Sequence, residues 1–309
     1  MNTRRIGSLD ASVVGLGCNN FGQRIDEAAS IAVVHAALDA GINFFDTAEL
    51  YADGKSEEFL GKALSQRRKQ ALIATKFGHK RWHPERGAHP TYIRRAVELS
   101  LRHLRTDVID LYQLHTPDPL VPIADTLGAL DELVKAGKVR EIGCSQFSVA
   151  QLREAASAAK PAAARFVSVQ NEYSVLRRDP EQGVLQECER TGLAFLPFFP
   201  LSSGLLTGKY RKGKGVPEGS RIADWFDGKI TPIDLDRIEA LIAFAEARGH
   251  TILELAFSWL LAHRPVASVI AGATSPDQVR ENVAAASWSL TEAEMAEIDR
   301  LAPARGADA

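Results

Sequence analysis

Cysteine is scarce in this chain, and the few cysteines present form no pattern. Cys18, Cys144 and Cys188 are scattered among 309 residues, with no Cys-x-x-Cys pair. An odd number of isolated cysteines argues against a disulfide framework and against a structural zinc site, and no metal is expected. Because disulfides are rare in reducing compartments, this usage predicts a cytoplasmic protein.

Strong charge and long apolar runs are also missing. The formal net charge is −2, with 25% charged and 45% hydrophobic residues, an ordinary balance for a globular protein. Such a charge gives no indication of a nucleic-acid or anionic-membrane partner. No apolar run approaches the roughly 20 residues that span a bilayer. The polar start of the chain, residues 1–5, does not predict a signal peptide.

What the sequence does contain is a regular alternation of short apolar segments with amphipathic helical segments. The predicted strands cover residues 13–16, 42–46, 71–76, 108–114, 138–145, 166–170, 193–198 and 266–271. The predicted helices cover residues 26–40, 56–64, 91–104, 123–136, 149–159, 181–191, 235–248, 251–263, 276–285 and 291–301. Alternating βα units predict a parallel sheet with right-handed crossovers, and eight of them close into a (β/α)₈ TIM barrel. We expect one domain over residues 1–309, with extra helices at its C-terminal end.

The alternative to a barrel is an open, doubly wound sheet. That fold requires a glycine-rich phosphate turn after its first strand. Gly15 and Gly17 match the first two glycines of the turn, but Asn20 stands at the third position, so we treat the match as chance. The seventh strand is followed by a long irregular segment, residues 202–234. A loop of this length is usually functional, and it leaves the face on which barrels hold their active sites.

Four polar residues follow the ends of consecutive predicted strands. Asp46 and Tyr51 follow one strand, Lys76 ends the next, and His115 ends the one after that. Neighbouring parallel strands of a barrel end on the same rim, so these side chains should converge. A carboxylate, a phenol, an ammonium and an imidazole together predict a proton-delivery site.

Each of these residues also has a purely structural interpretation. An aspartate after a strand often caps a helix, and a lone lysine, tyrosine or histidine is more often solvated or packed than reactive. Their joint placement favours the reactive interpretation. We hypothesise that Tyr51 is a general acid whose pKa is lowered by Lys76, that Asp46 holds the lysine, and that His115 orients a carbonyl oxygen.

At these residues the sequence resembles the aldo-keto reductase superfamily over nearly the whole chain. Among its branches, the chain is similar to the bacterial type related to potassium-channel β subunits. The segments that carry the resemblance are 45–51, 54–57, 74–76, 111–115, 137–145, 169–173 and 200–209.

The resemblance implies a catalytic tetrad of Asp46, Tyr51, Lys76 and His115, and a nicotinamide cofactor. Ser145 and Gln170 match residues that bind the nicotinamide amide. The full set of implied cofactor residues is Gly17, Ser145, Gln146, Gln170, Phe198, Phe199, Pro200, Leu201, Ser203, Gly204, Lys209, Arg221, Gly272, Thr274, Gln278 and Asn282.

The chain departs from the family pattern at several of these positions. Phe198 stands where a tyrosine usually stacks on the nicotinamide, and Gln146 stands in place of asparagine. Gly272 and Gln278 stand where some branches have the lysine and arginine that bind the adenosine 2′-phosphate. These replacements weaken the preference for NADP(H), which we still favour, and leave NAD(H) open. Arg221 or Lys209 could supply the missing charge.

Aromatic and imidazole side chains of the loops are the candidates for the substrate pocket. They are Phe21, Trp82, His83, Phe147 and Trp225. Each also has an ordinary interpretation as a packed loop residue. An aromatic rim would suit small apolar or aromatic aldehydes, or a sugar that stacks on tryptophan.

The resemblance therefore predicts an oxidoreductase that reduces small-molecule aldehydes or ketones with a nicotinamide cofactor. One alternative is a dehydrogenase that oxidises a sugar or a pyridoxine-type alcohol with NAD(P)⁺. Another is a redox-sensing regulatory subunit that binds nicotinamide. A fourth possibility is a barrel enzyme that binds phosphate-bearing substrates without nicotinamide, but it leaves the four polar residues unexplained.

Overall fold

The computed structural model describes residues 1–79, 87–225 and 230–304. Within these residues, one parallel sheet contains eight strands, which are β3 (Val14–Gly17), β4 (Phe44–Asp46), β5 (Leu72–Phe77), β6 (Ile109–Leu114), β7 (Val139–Ser145), β8 (Phe166–Glu172), β9 (Ala194–Phe198) and β10 (Val269–Gly272). Their order in the sheet is β10-β3-β4-β5-β6-β7-β8-β9. An antiparallel hairpin precedes them, formed by β1 (Thr3–Ile6) and β2 (Leu9–Ser12).

The sheet closes on itself between β9 and the segment that leads into β10. Phe195 forms a parallel bridge with Val266. The Phe195 amide donates to the Pro265 carbonyl at 2.7 Å, and the Ala267 amide donates to the Phe195 carbonyl at 2.9 Å. The predicted (β/α)₈ barrel is therefore confirmed.

Helices separate the strands and surround the barrel. They are α1 (Glu27–Asp39), α2 (Lys55–Leu64), α3 (Pro90–Leu104), α4 (Ile123–Lys135), α5 (Val149–Ala158), α6 (Val184–Thr191), α7 (Arg221–Trp225), α8 (Pro232–Glu246), α9 (Ile252–Ala262), α10 (Pro276–Ala284) and α11 (Glu292–Leu301). Several begin at sequence-encoded caps. Ser148 with Gln151, for example, forms a reciprocal capping box that satisfies two amide groups at the start of α5. No helix among the described residues is long and apolar enough to cross a membrane.

The N-terminal hairpin is an element that the strand and helix periodicity did not predict. Its side chains Ile6 and Leu9 are buried in one apolar cluster with inward-facing residues of the barrel strands, including Phe44 and Leu196. The guanidinium of Arg4 donates to the Leu261 carbonyl at 2.8 Å, near the C-terminal end of α9. The hairpin thus covers the end of the barrel opposite the carboxyl ends of the strands.

The long segment after the seventh barrel strand is confirmed as the irregular part of the chain. It leaves β9 at Phe198 and forms a 3₁₀ turn over Ser202–Thr207. The short helix α7 then precedes α8. This segment lies at the carboxyl ends of the strands, where it contributes side chains to the site described next.

Candidate functional site

A cavity of about 840 Å³ opens at the carboxyl ends of the barrel strands. This volume is in the range of small-molecule and cofactor sites. Asp46, Tyr51 and His115 line it, whereas Lys76 lies buried beneath. Every residue implied for cofactor binding also lines it: Gly17, Ser145, Gln146, Gln170, Phe198, Phe199, Pro200, Leu201, Ser203, Gly204, Lys209, Arg221, Gly272, Thr274, Gln278 and Asn282.

A buried ion pair forms the floor of the cavity. The Lys76 Nζ lies 2.5 Å from Asp46 Oδ2, and the two side chains are 1% and 4% exposed. The lysine also donates to the Thr47 carbonyl at 2.9 Å. The second carboxylate oxygen, Asp46 Oδ1, accepts from Gln170 Nε2 at 2.9 Å and from Gln113 Nε2 at 3.3 Å. Because both charged groups have several hydrogen-bond partners, this pair meets the condition under which buried charges are tolerated.

Tyr51 lies directly above this pair. Its hydroxyl is 3.4 Å from Lys76 Nζ, which also lies 5.1 Å from the centre of the phenol ring. Burial raises the pKa of Tyr51, Lys76 lowers it and Asp46 raises it again, with a net increase. The expectation of a lowered pKa was therefore wrong in its net result, although Lys76 acts in the expected direction. Burial also opposes the charge of Lys76, but Asp46 and Tyr51 together raise the pKa of that ammonium.

The turn that carries Tyr51 has an unusual backbone. Ala52 and Asp53 both have a φ of 51°, and Gly54 follows with a φ of 88°. Residues other than glycine rarely adopt this left-handed region, and such strain persists only where the surroundings impose it. A side chain on Gly54 would lie 2.6 Å from Cε1 of His103, so α3 supports the turn from below.

His103 should make the stability of the fold depend on pH. Its Nδ1 lies 3.1 Å from Oε2 of the buried Glu57, and this hydrogen bond raises the pKa of His103 against the opposing effect of burial. A raised pKa contributes stability that is fully present below the unfolded value of about 6.5 and is lost as pH rises through the folded value. We expect urea unfolding of the wild type to show this loss as the pH rises above about 6.5. The loss should be absent in His103→Gln, and equal pH dependence of the two proteins would contradict the assignment.

His115 lies beside Tyr51, with the two ring centres 6.0 Å apart and the ring planes at 84°. Burial, the charge of Lys76 and the neighbouring His79 hold the pKa of His115 well below its usual range. The ring is therefore neutral near pH 7. Its Nδ1 is buried and has no hydrogen-bond partner among the described residues. A buried lone pair costs less than a buried N–H, so we assign the proton to the other ring nitrogen, Nε2.

Gln146 occupies the position at which the family pattern has asparagine. Its φ is 62°, and its Nε2 donates to the carbonyl oxygen of His115 at 3.2 Å. The amide of Gln146 therefore holds the backbone of His115 as well as lining the cavity.

Several residues of the cavity lining were not predicted as site residues, and His79 and Arg24 are two that can carry a charge. The ring centre of His79 is 4.7 Å from that of His115, and the ring planes lie at 72°. His79 follows Lys76 by three residues, just beyond the end of β5, so its place in the sequence was the available signal. Arg24 lies in the loop after β3, and no local pattern distinguishes it from a solvated surface residue.

Arg24, Lys209 and Arg221 place three positive charges along the cavity. Burial lowers the pKa of Lys209, and the charges of Arg24 and Arg221 lower it further. The guanidinium of Arg221 donates to Asn20 Oδ1 at 2.8 Å, and Arg24 lies 3.3 Å from Asp224. Cations held this close together have the charge that suits an anion such as a diphosphate.

The other end of the cavity is formed by β10 and the start of α10. Oε1 of Gln278 accepts from the Thr274 amide at 2.8 Å and from the Thr274 hydroxyl at 3.1 Å. A side chain at Gly272 would lie 3.1 Å from Nδ2 of Asn20. The glycine thus leaves room for Asn20, which in turn binds Arg221.

The structure changes the predicted substrate pocket. Phe21 and Phe147 do not line the cavity, since they are 0% and 3% exposed and pack in the apolar core. Trp82 and His83 lie outside the described residues. Trp225 ends α7, and its side chain is outside the described part of the structure. Phe21 and Phe147 therefore do not form the predicted pocket, and the phenyl and phenol rings that line the cavity among the described residues belong to Tyr51, Phe198 and Phe199.

Cys18 and Cys144 are both buried. Burial raises the pKa of each thiol well above its usual value. Because the thiolate is the reactive form, the environment of these cysteines disfavours redox chemistry.

The comparisons with known proteins agree with the fold. The model of the aldo/keto reductase family matches residues 13–303. The chain belongs to the aldo/keto reductase family, a class of oxidoreductases.

The individual relatives are similar over nearly their full lengths. One is the aldo-keto reductase yakc [NADP(+)] of Schizosaccharomyces pombe, with 35% identity over 96% of this chain and 90% of the relative. A glycerol dehydrogenase of Gluconobacter oxydans has 31% identity and a TM-score of 0.83 over 97% of this chain and 94% of its own. An aldo/keto reductase of Klebsiella pneumoniae, solved in complex with NADP and acetate, has 29% identity and a TM-score of 0.80 over 99% of this chain and 96% of its own.

Proposed function

We propose that this protein reduces aldehydes or ketones to alcohols with NADPH, using Tyr51 as the general acid. The observation that carries the proposal is the buried Lys76–Asp46 pair beneath the Tyr51 hydroxyl, next to a neutral His115 in one cavity. This arrangement can deliver a proton to the carbonyl oxygen of a substrate bound in the cavity. It supplies no hydride, so the reaction requires a cofactor that does.

The side chains divide the work of proton transfer. When bound, the nicotinamide supplies hydride to the carbonyl carbon. Nε2–H of His115 orients the carbonyl oxygen, and the Tyr51 hydroxyl donates its proton to that oxygen. Lys76 stabilises the phenolate that this leaves, and Asp46 keeps the lysine in place. Because burial raises the pKa of Tyr51, the positive charge of Lys76 is what makes proton loss possible.

The lining of the cavity fits a nicotinamide dinucleotide. Phe198 can stack on the nicotinamide ring, and Ser145 and Gln170 can bind its amide. Arg24, Lys209 and Arg221 match the charge of the diphosphate, and the amide groups at the start of α10 suit an anion. The S. pombe relative carries NADP(+) in its name and the K. pneumoniae relative was solved in complex with NADP, which supports NADPH as the favoured cofactor.

The proposal is tested by following NADPH oxidation with a panel of small aldehydes and ketones. Turnover that produces one alcohol per NADPH oxidised supports it. Failure to oxidise NADPH with every member of the panel, with the protein folded, contradicts it.

Gln278→Arg should increase the preference for NADPH over NADH. Gln278 is exposed at the start of α10, where an arginine can reach a 2′-phosphate without disturbing the core. A charge-assisted hydrogen bond of this kind predicts a rise of about tenfold in the ratio of NADPH to NADH affinities, measured by titration. Gln186→Arg, on α6 and outside the cavity, is the matched control. An unchanged ratio in Gln278→Arg would place the phosphate elsewhere.

Alcohol oxidation is a second candidate. The similarity to the glycerol dehydrogenase of G. oxydans favours it, and the same groups would act in reverse, with the Tyr51 phenolate as general base. Assays with NAD⁺ and NADP⁺ on small polyols separate the two directions. We also propose a cytoplasmic location, which the three free, buried cysteines support.

A further inference from the structure

A buried carboxylate lies behind the turn that carries Tyr51. Glu57 belongs to the first turn of α2 and is 0% exposed. Its Oε1 accepts from the Thr75 hydroxyl at 2.6 Å, and its Oε2 lies 3.1 Å from Nδ1 of His103. Thr75 directly precedes Lys76 in β5. Glu57 therefore joins the helix that follows the Tyr51 turn to the strand that carries the lysine.

A second set of hydrogen bonds joins the same helix to the lysine. Lys76 Nζ donates to the Thr47 carbonyl at 2.9 Å, and the Thr47 hydroxyl lies 2.8 Å from Ser56 Oγ. Ser56 Oγ donates to the Cys18 carbonyl at 2.8 Å. Lys76, Thr47 and Ser56 are all buried. The start of α2 is thus held at several points, and because the Tyr51 turn leads directly into α2, the same contacts fix the end of the turn.

The ring of His103 supports the turn itself. Gly54, the last residue of the turn, has a φ of 88°. A side chain on Gly54 would lie 2.6 Å from Cε1 and 2.8 Å from Nδ1 of the imidazole. Asp53 and Lys55 are the charged residues on either side of this glycine. The imidazole therefore packs on the backbone of the turn while its Nδ1 binds Glu57.

His103 also connects this network to solvent, since its side chain is 20% exposed and that of Glu57 is 0% exposed. The hydrogen bond to Glu57 and the charges of Glu57 and Glu58 raise the pKa of His103, against burial and the charge of Arg102. A protonated imidazole gives the buried carboxylate a counter-charge, and a neutral one leaves it with hydrogen bonds alone. Charge-assisted hydrogen bonds are about twice as strong as neutral ones. The contact between His103 and α2 therefore weakens when the imidazole loses its proton.

We infer that Glu57 and His103 are positioning residues for Tyr51. In this role, protonated His103 keeps the Tyr51 hydroxyl close to Lys76, in the geometry needed for proton transfer. This inference rests on the proposed function. Neither Glu57 nor His103 lines the cavity, so they act through the strained turn. A shift of the turn moves the phenol away from the lysine, which lies 3.4 Å from its hydroxyl, and small misplacements of this kind slow a reaction.

The test compares kcat for carbonyl reduction in the wild type, His103→Arg and His103→Gln over a pH series. The series begins below about 6.5, the ordinary pKa of histidine, and rises until the ratios of kcat no longer change. Arginine keeps its charge throughout, whereas glutamine offers a neutral donor throughout. Other groups that titrate in the enzyme affect all three proteins alike, so the ratio of the wild-type kcat to that of each variant reports the side chain at position 103.

We expect the wild type to follow His103→Arg at the low end of the series and His103→Gln at the high end. The kcat of the wild type relative to His103→Arg should fall by about two- to fivefold as the pH rises, since a charge-assisted hydrogen bond becomes a neutral one. The affinity for NADPH, measured by titration, should stay constant because the pair lies outside the cavity lining. A purely structural role would change urea unfolding and leave both kcat ratios independent of pH.

His250→Arg is the matched control. His250 Nδ1 also lies 3.1 Å from a glutamate oxygen, Glu254 Oε1, and neither residue lines the cavity. The substitution therefore makes the same chemical change in a histidine–glutamate pair that has no contact with the Tyr51 turn. The ratio of the wild-type kcat to that of His250→Arg should not vary over the pH series.

Two results would overturn the inference. If the kcat ratios of the folded His103 variants to the wild type stay flat across the series, His103 does not position Tyr51, and the proposed function stands. Each ratio tests the inference by itself, so one folded variant is sufficient. If the wild type oxidises NADPH with no carbonyl compound at any pH, the proposed function fails and this inference fails with it.

Discussion

Tyr51→Phe should lower NADPH-dependent carbonyl reduction by about 10²–10⁴-fold, the usual contribution of a positioned general acid. The substitution removes the hydroxyl that lies 3.4 Å from Lys76 and keeps the ring beside His115. It therefore removes the proton donor and leaves the shape of the cavity. The loss should fall on kcat, measured by steady-state kinetics, while the NADPH affinity measured by titration should change little.

Tyr112→Phe is the matched control for this experiment. Tyr112 is a fully buried tyrosine of β6 that does not line the cavity. The substitution removes one phenol hydroxyl, as Tyr51→Phe does, but away from the cavity. The kcat of the Tyr112→Phe variant should therefore stay near the wild-type value. If the Tyr51→Phe variant kept the wild-type kcat, Tyr51 would not be the general acid.

Lys76→Met should abolish reduction and also destabilise the fold, by about 3–5 kcal/mol. The lysine is the cation that stabilises the Tyr51 phenolate, and it is also the ion-pair partner of Asp46. Removing it leaves a carboxylate that is 4% exposed without its counter-charge. Urea unfolding gives the free energy of unfolding, and the NADPH assay gives the activity.

The double variant Asp46→Asn with Lys76→Met separates these two effects. An amide at position 46 carries no charge and can still form hydrogen bonds with Gln113 and Gln170. We expect the double variant to regain most of the lost stability and none of the activity. If the double variant were less stable than Lys76→Met alone, the unpaired charge would not be the cause of the destabilisation.

The barrel and the clustering of Asp46, Tyr51, Lys76 and His115 could be predicted because both depend on local sequence patterns. Alternating apolar segments gave the strands, and the register of neighbouring parallel strands brings their ends together. Residues placed at those ends, such as Asp46 and Lys76, converge without any knowledge of the loops. In a barrel, the position of a residue at the end of a strand therefore determines which other side chains lie near it.

Features that depend on long-range loop packing were not predictable in this way. The N-terminal hairpin has short strands with polar residues, and only its burial against Phe44 and Leu196 shows its role. Phe21 and Phe147 were expected at the substrate pocket because they are aromatic loop residues. In the structure both side chains pack in the apolar core, where their apolar area is buried.

The net direction of the pKa shift of Tyr51 could not be predicted from residue types either. The sequence places a lysine near the tyrosine, but the degree of burial decides the net direction of the pKa. Arg24 shows the same limit, because it comes near Lys209 and Arg221 only through the packing of two distant loops.

The most direct test of the account is calorimetric titration of the purified protein with NADPH. A nicotinamide cofactor bound in the cavity is the premise of every step proposed for Tyr51, Lys76 and His115. The account predicts one site per chain, with a dissociation constant in the micromolar range or tighter, at about −8 kcal/mol or more negative. A folded protein that bound neither NADPH nor NADP⁺ would contradict it and would leave the proton-delivery cluster without a source of hydride.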